Sequence, residues 1–121
     1  MTHPAADRLA DAINRHDLDA LTACFAPGYA TTFPAHPSRS FTGRDQVRSN
    51  WEKLFAAFPD IKATVTGVAR TDDGVWAEWE FDGSGPDGAR FHQRGVIVMV
   101  VEGELIARTR FYMEPVDAPQ P

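Results

Sequence analysis

Val47, Trp51, Leu54, Phe55 and Phe58 stand at offsets 0, 4, 7, 8 and 11, which places all five on one face of a helix. This is the strongest periodic signal in the chain. It predicts a helix from about Asp45 to Phe58, closed by Pro59-Asp60, whose aromatic face must be buried against another element. The segments after it change period. Val75, Ala77, Trp79 and Phe81 alternate with Trp76, Glu78, Glu80 and Asp82, the period of two that marks a strand with one buried face. Ile61 to Arg70 precedes it across the turn Thr71-Asp72-Asp73-Gly74. Phe91 to Val101 and Leu105 to Met113 follow as two long strands joined around Glu102-Gly103.

Before the long helix the chain reads mainly helical. Leu9 and Ile13, with Ala6, Ala10 and Ala12 around them, predict a modest amphipathic helix over residues 5–16. Asp17 offers an N-cap oxygen to a second helix carrying Leu18, Leu21 and Phe25, and Pro27-Gly28 is expected to stop it. Tyr29 to Phe33 then reads as a short strand ended by Pro34, and Ala35 to Gly43 as a loop. The expectation is one α+β domain over residues 1–121, with its core at about 6–115. The proline-rich end, residues 116–121, is expected to form a flexible tail.

Charge and composition remove several classes of function. With 12 Lys+Arg against 17 Asp+Glu the formal net charge is −5, and the basic residues are scattered, so no nucleic-acid partner is expected. One cysteine, Cys24, excludes an internal disulfide framework and reads as a buried thiol. His3, His16, His36 and His92 show no ligand spacing, so neither a metal nor a cofactor is expected. No apolar run approaches a bilayer span and no signal-peptide pattern opens the chain, so no membrane partner and a cytoplasmic location are expected.

A strongly twisted antiparallel sheet with helices on one side curls into a cone, and its concave face leaves an internal apolar pocket. If Trp79 faces inward, so do Val75, Ala77 and Phe81. On the last strand Thr109, Phe111 and Met113 then face in, while Arg108, Arg110 and Tyr112 face out. Val96, Val98 and Val100 join Trp76 and Tyr112 on the outer face. That apolar surface is large for a lone monomer, so a homodimer through the convex face is expected, with Arg108 or Arg110 meeting Glu78 or Glu80.

Ile13-Asn14-Arg15-His16-Asp17-Leu18-Asp19-Ala20-Leu21, Phe41-Thr42-Gly43-Arg44-Asp45-Gln46-Val47 and Phe55-Ala56-Ala57-Phe58-Pro59-Asp60 resemble the SnoaL-like branch of the nuclear transport factor two-like superfamily, as does Gly103 through Pro115. The resemblance covers roughly residues 6–115 and implies the same cone-shaped α+β fold. The superfamily includes steroid isomerases, polyketide cyclases, dehydratases, epoxide hydrolases and non-catalytic subunits, so the fold does not choose among them. The positions of the steroid isomerases' base, helix tyrosine and central aspartate look like Phe33, Leu9 and Ile97. Those of the cyclases' aspartate and histidine look like Phe111 and Ile97. All are apolar here.

Few polar candidates remain. His36, in the loop after Pro34, reads either as a solvated loop residue or as a general acid/base. His92 is expected to face out. Gln93 reads as a group orienting a ligand oxygen or as a rim residue, and Thr109 as a packing residue or a single donor. The expected pocket lining is Phe33, Trp51, Phe55, Trp79, Gln93, Ile97, Met99, Thr109, Phe111 and Met113, suited to a small hydrophobic molecule. Two functions follow as alternatives. One is an acid/base isomerase, cyclase or dehydratase using His36; the other is a ligand-binding or structural module without acid/base groups.

Overall fold

The structure, a computed structural model, describes residues 2–117. Three helices, α1 (Pro4–Asn14), α2 (Leu18–Ala23) and α3 (Arg44–Ala57), cover one face of an open six-stranded sheet. The strands are β1 (Phe25–Thr32), β2 (Phe41–Thr42), β3 (Lys62–Thr71), β4 (Gly74–Ser84), β5 (Arg90–Glu102) and β6 (Leu105–Pro115), in the order β2-β1-β6-β5-β4-β3. No helix among the described residues is long and apolar enough to cross a membrane.

The alternation in β4 is realised in full. Val75, Ala77, Trp79 and Phe81 are buried, while Trp76 on the opposite face is 48% exposed. Burial of a large side chain of this kind contributes about 2–3 kcal/mol, so the inward face of β4 anchors the core. The side-chain amide of Asn14 ties α1 to β3 by pairing with both the carbonyl and the N–H of Ala63, at 2.9 and 2.7 Å. Asp17 caps α2 through the Ala20 N–H, as its position before Leu18 predicts.

Three expectations need correction. The sheet is mixed rather than wholly antiparallel, because β1 lies parallel to β6. Strands so far apart in sequence need no hairpin, so nothing local fixes their relative direction. Secondly, Pro27-Gly28 does not stop α2. The helix ends at Ala23, and both residues lie within β1, where the pairing with β6 shifts register between Phe25 and Ala30. A proline is accommodated at such an irregularity because no ladder N–H is demanded of it. Thirdly, the segment after Phe33 is not all loop. It contains a tight turn at Pro37–Arg39 and the two-residue strand β2, paired with Ala30 and Thr31.

The register of β6 follows the expected faces, with Thr109, Phe111 and Met113 opposite Met99, Ile97 and Gly95 of β5. Val100 pairs with Arg108 and Val101 with Ile106, so Ala107 of β6 bulges out of register near the turn, and beyond it the inward set is preserved along the strand. Of the expected tail, Val116 donates its N–H to the His92 carbonyl at 2.9 Å; residues 118–121 lie outside the described residues.

Candidate functional site

Between α3 and the inner face of the sheet lies a cavity of about 250 Å³. Val47, Asn50, Trp51 and Leu54 of α3 form one wall. Phe25 and Tyr29 of β1, Phe81 of β4, Phe91 and Gln93 of β5, and Phe111 and Met113 of β6 form the other; Phe33, Arg39 and Phe41 close the side between β1 and α3. The Trp51 ring stands edge-on to Phe81 at 5.6 Å and 89°, and Phe33 stacks on Phe111 at 4.8 Å. Aromatic pairs in these geometries are worth about 0.5–1.5 kcal/mol beyond the area they bury, so they favour this arrangement of the walls.

Five of the expected lining residues border the cavity: Phe33, Trp51, Gln93, Phe111 and Met113. The other five do not. Trp79, Ile97 and Met99 face inward but are fully buried in the same core cluster as Leu9 and Ile13 of α1. Trp79 Nε1 has no hydrogen-bond partner among the described residues. Phe55 turns away from the cavity and stacks on the His16 ring at 4.4 Å, while His16 Nε2 lies 3.1 Å from the Ile61 carbonyl oxygen. Thr109 is taken up by a buried hydroxyl chain. Its Oγ1 donates to Thr31 Oγ1 at 2.7 Å, so the hydroxyl of Tyr29, 2.5 Å away, must be the donor to it.

Other lining residues carried some sequence signal. Val47 and Leu54 share the helical face of Trp51, and Phe81 shares the strand face of Trp79. Phe91 lies two residues from Gln93 on β5. Asn50 shares the helical face of Trp51 too, three residues after Val47, but as a polar residue it adds nothing to an apolar period; Arg39 and Phe41 had no periodic signal at all.

The chemistry of the wall is defined by what lines it. No carboxylate, imidazole or amine is among the lining residues. Burial raises the pKa of Tyr29 above the ordinary phenol value, against the smaller opposing effect of its hydroxyl partners, so it stays neutral at physiological pH. The wall therefore has no group poised to exchange a proton near neutrality. His36 lies outside it, with Nε2 2.8 Å from Glu114 Oε1 in a half-exposed pair. His92 faces out, as expected, and contacts Glu80 at 2.6 Å. Cys24 is buried, and desolvation pushes its thiol pKa up, the reverse of what a nucleophile needs. The described residues include no group of three or more side chains placed to hold a metal ion.

The sequence matches the profile of the SnoaL-like domain over residues 6–109. No curated protein matches it. Solved structures share the fold at low identity. A hypothetical protein with a ketosteroid isomerase-like fold from Catenulispora acidiphila, in complex with trimethylamine, aligns at TM-score 0.79 and 22% identity, covering 93% of this chain and 87% of that one. IdmH from Streptomyces antibioticus, a suggested polyketide cyclase, aligns at 0.73 and 22%, covering 93% of both chains. RV0760c from Mycobacterium tuberculosis, in complex with estradiol-17beta-hemisuccinate, aligns at 0.75 and 18%, covering 92% of this chain and 94% of that one.

Proposed function

The chain belongs to the SnoaL-like domain family, and from that premise we propose that it binds a small, largely apolar compound in the cavity beneath α3. One observation carries the reading: ten of the fourteen residues that line the cavity are apolar, and the helices leave the space open. Concave, mostly apolar sites with a few polar groups are where small molecules bind. The steroid conjugate in the Mycobacterium tuberculosis structure and the suggested cyclase role of IdmH are consistent with such a ligand. The positions that resemble the acid/base residues of the steroid isomerases and cyclases hold Phe33, Leu9, Ile97 and Phe111. Binding without those two mechanisms is therefore the reading this wall favours.

A second reading, an acid/base isomerase, cyclase or dehydratase, has the His36–Glu114 pair in its favour, since a carboxylate that orients an imidazole is a common arrangement for a general base. His36→Ala separates the two. On the binding reading, titration of a hydrophobic probe such as 2-naphthamide, followed by tryptophan emission, gives the same affinity in the variant and the unaltered protein. Turnover of any bound compound that is lost in His36→Ala, with affinity kept, would instead favour the enzyme.

We also propose that two copies pair through the outer face of the sheet. Trp76 and Tyr112 are 48% and 42% exposed there, beside the partly exposed Val96 and Val100; Val98, expected on the same surface, is only 5% exposed and adds little to it. The same face carries Glu78 and Glu80 on β4 and Arg108 and Arg110 on β6, so a two-fold axis would set opposite charges against each other. Within one chain Arg108 reaches only Glu102, at 3.6 Å, and Arg110 has no carboxylate partner among the described residues. Light scattering at micromolar concentration is expected to return twice the 13.4 kDa of the chain; a mass of one chain would remove the pairing.

A further inference from the structure

We propose that the compound held in the cavity carries an anionic group, a carboxylate in the simplest case, which pairs with Arg39 at the cavity mouth. The inference rests on the cavity being a binding site. Arg39 is the only lining residue that carries a charge at neutral pH. It makes no side-chain hydrogen bond or ion pair among the described residues, which sets it apart from most arginines of this acidic chain. Arg15, Arg48, Arg90, Arg94 and Arg108 each reach a carboxylate, and Arg8, Arg44 and Arg70 each donate to a backbone carbonyl.

The backbone holds Arg39 in place. Its N–H donates to the His36 carbonyl at 2.9 Å, and the Ser40 hydroxyl accepts from the Phe33 N–H at 3.1 Å, so the turn is closed on itself between two cavity-lining residues. A guanidinium presents a planar fork of N–H donors that fits a carboxylate bidentately. The remaining polar groups of the wall extend the same chemistry. Asn50 Oδ1 already accepts from Gln46, which leaves its N–H groups as the available donors, and the Gln93 amide has no partner among the described residues. The site thus offers apolar walls for a flat body and donors for an oxygen-bearing end, with no acidic side chain in the lining to repel an anion. Because Arg39 is solvent-exposed, its attraction is screened by salt and modest in size.

The test compares 2-naphthoate with 2-naphthamide, which share one bicyclic body and differ in charge. Both are titrated into the unaltered protein and into Arg39→Gln, at low and at high salt. The expected result is that the unaltered protein binds the naphthoate up to about fivefold tighter at low salt and less selectively at high salt, and that Arg39→Gln removes the preference, the loss falling more on the naphthoate than on the naphthamide. Equal affinity for both compounds in the unaltered protein would overturn the anionic inference and leave the cavity reading standing. A preference that survives in Arg39→Gln would also overturn it, since the charge would be read elsewhere. Binding of neither compound would overturn both.

Discussion

Gly95→Ala is expected to destabilise the domain by on the order of 4 kcal/mol, seen as a fall of roughly 15 °C in the thermal midpoint. Gly95 lies in β5, between Trp79 of β4 and Met113 of β6. A Cβ at this position would overlap the backbone carbonyl oxygen of Tyr112 and come within 2.9 Å of the Met113 Cα. Both obstacles are backbone atoms of the neighbouring strand, so no side chain can swing aside to relieve them. The φ of +155° is also one that residues with a Cβ rarely adopt. Relief requires β5 and β6 to separate where Phe111 and Met113 enter the cavity wall. Gly28→Ala serves as the control, because a Cβ there meets no heavy atom within 4 Å; its effect is expected to stay within about 0.5 kcal/mol. Urea unfolding of the two variants measures both. A loss below about 1 kcal/mol for Gly95→Ala would show that the β5–β6 pairing yields more easily than its geometry indicates.

Val47→Phe is expected to weaken uptake of 2-naphthamide by more than tenfold, a change of at least about 1.4 kcal/mol. Val47 is 4% exposed and lies on the α3 wall, so a larger ring at this position takes up space inside the cavity. Filling a void in a folded core commonly adds about 0.5–2 kcal/mol, so the thermal midpoint should hold or rise while binding falls. That opposition is what makes the variant informative, since loss of binding through unfolding would move both quantities down together. Tryptophan emission reports the titration directly, because Trp51 lines the same cavity. Undiminished binding by a folded Val47→Phe would place the compound elsewhere on the protein.

Local pattern carried the parts of this fold that depend on facing. The period of two in β4 distinguishes Trp79 and Phe81 from Trp76 and Glu78, and the helical offsets of α3 put Val47, Trp51 and Leu54 on one wall. Facing does not say how far along the sheet a residue lies. Trp79, Ile97 and Met99 share the inward direction of Phe81 and Gln93 but fall in the core with α1 rather than beside open space. Thr109 was lost as a lining candidate because Tyr29 and Thr31 reach it from 80 and 78 residues away. The same distance hides the parallel pairing of β1 with β6. Arg39 and Phe41 enter the site through a turn and a two-residue strand, both too short to produce a period.

The most direct test of the cavity as a binding site uses the methionines, of which the chain has three. Labelled at the ε-methyl, they give a small set of resolved signals. Met113 lines the cavity, whereas Met99 is buried outside it. With 2-naphthamide added to saturation, intermolecular nuclear Overhauser contacts are predicted between the naphthalene protons and the Met113 methyl, with none to Met99. A bound compound that leaves Met113 without contacts would contradict the account, and so would the absence of any binding at saturating concentration.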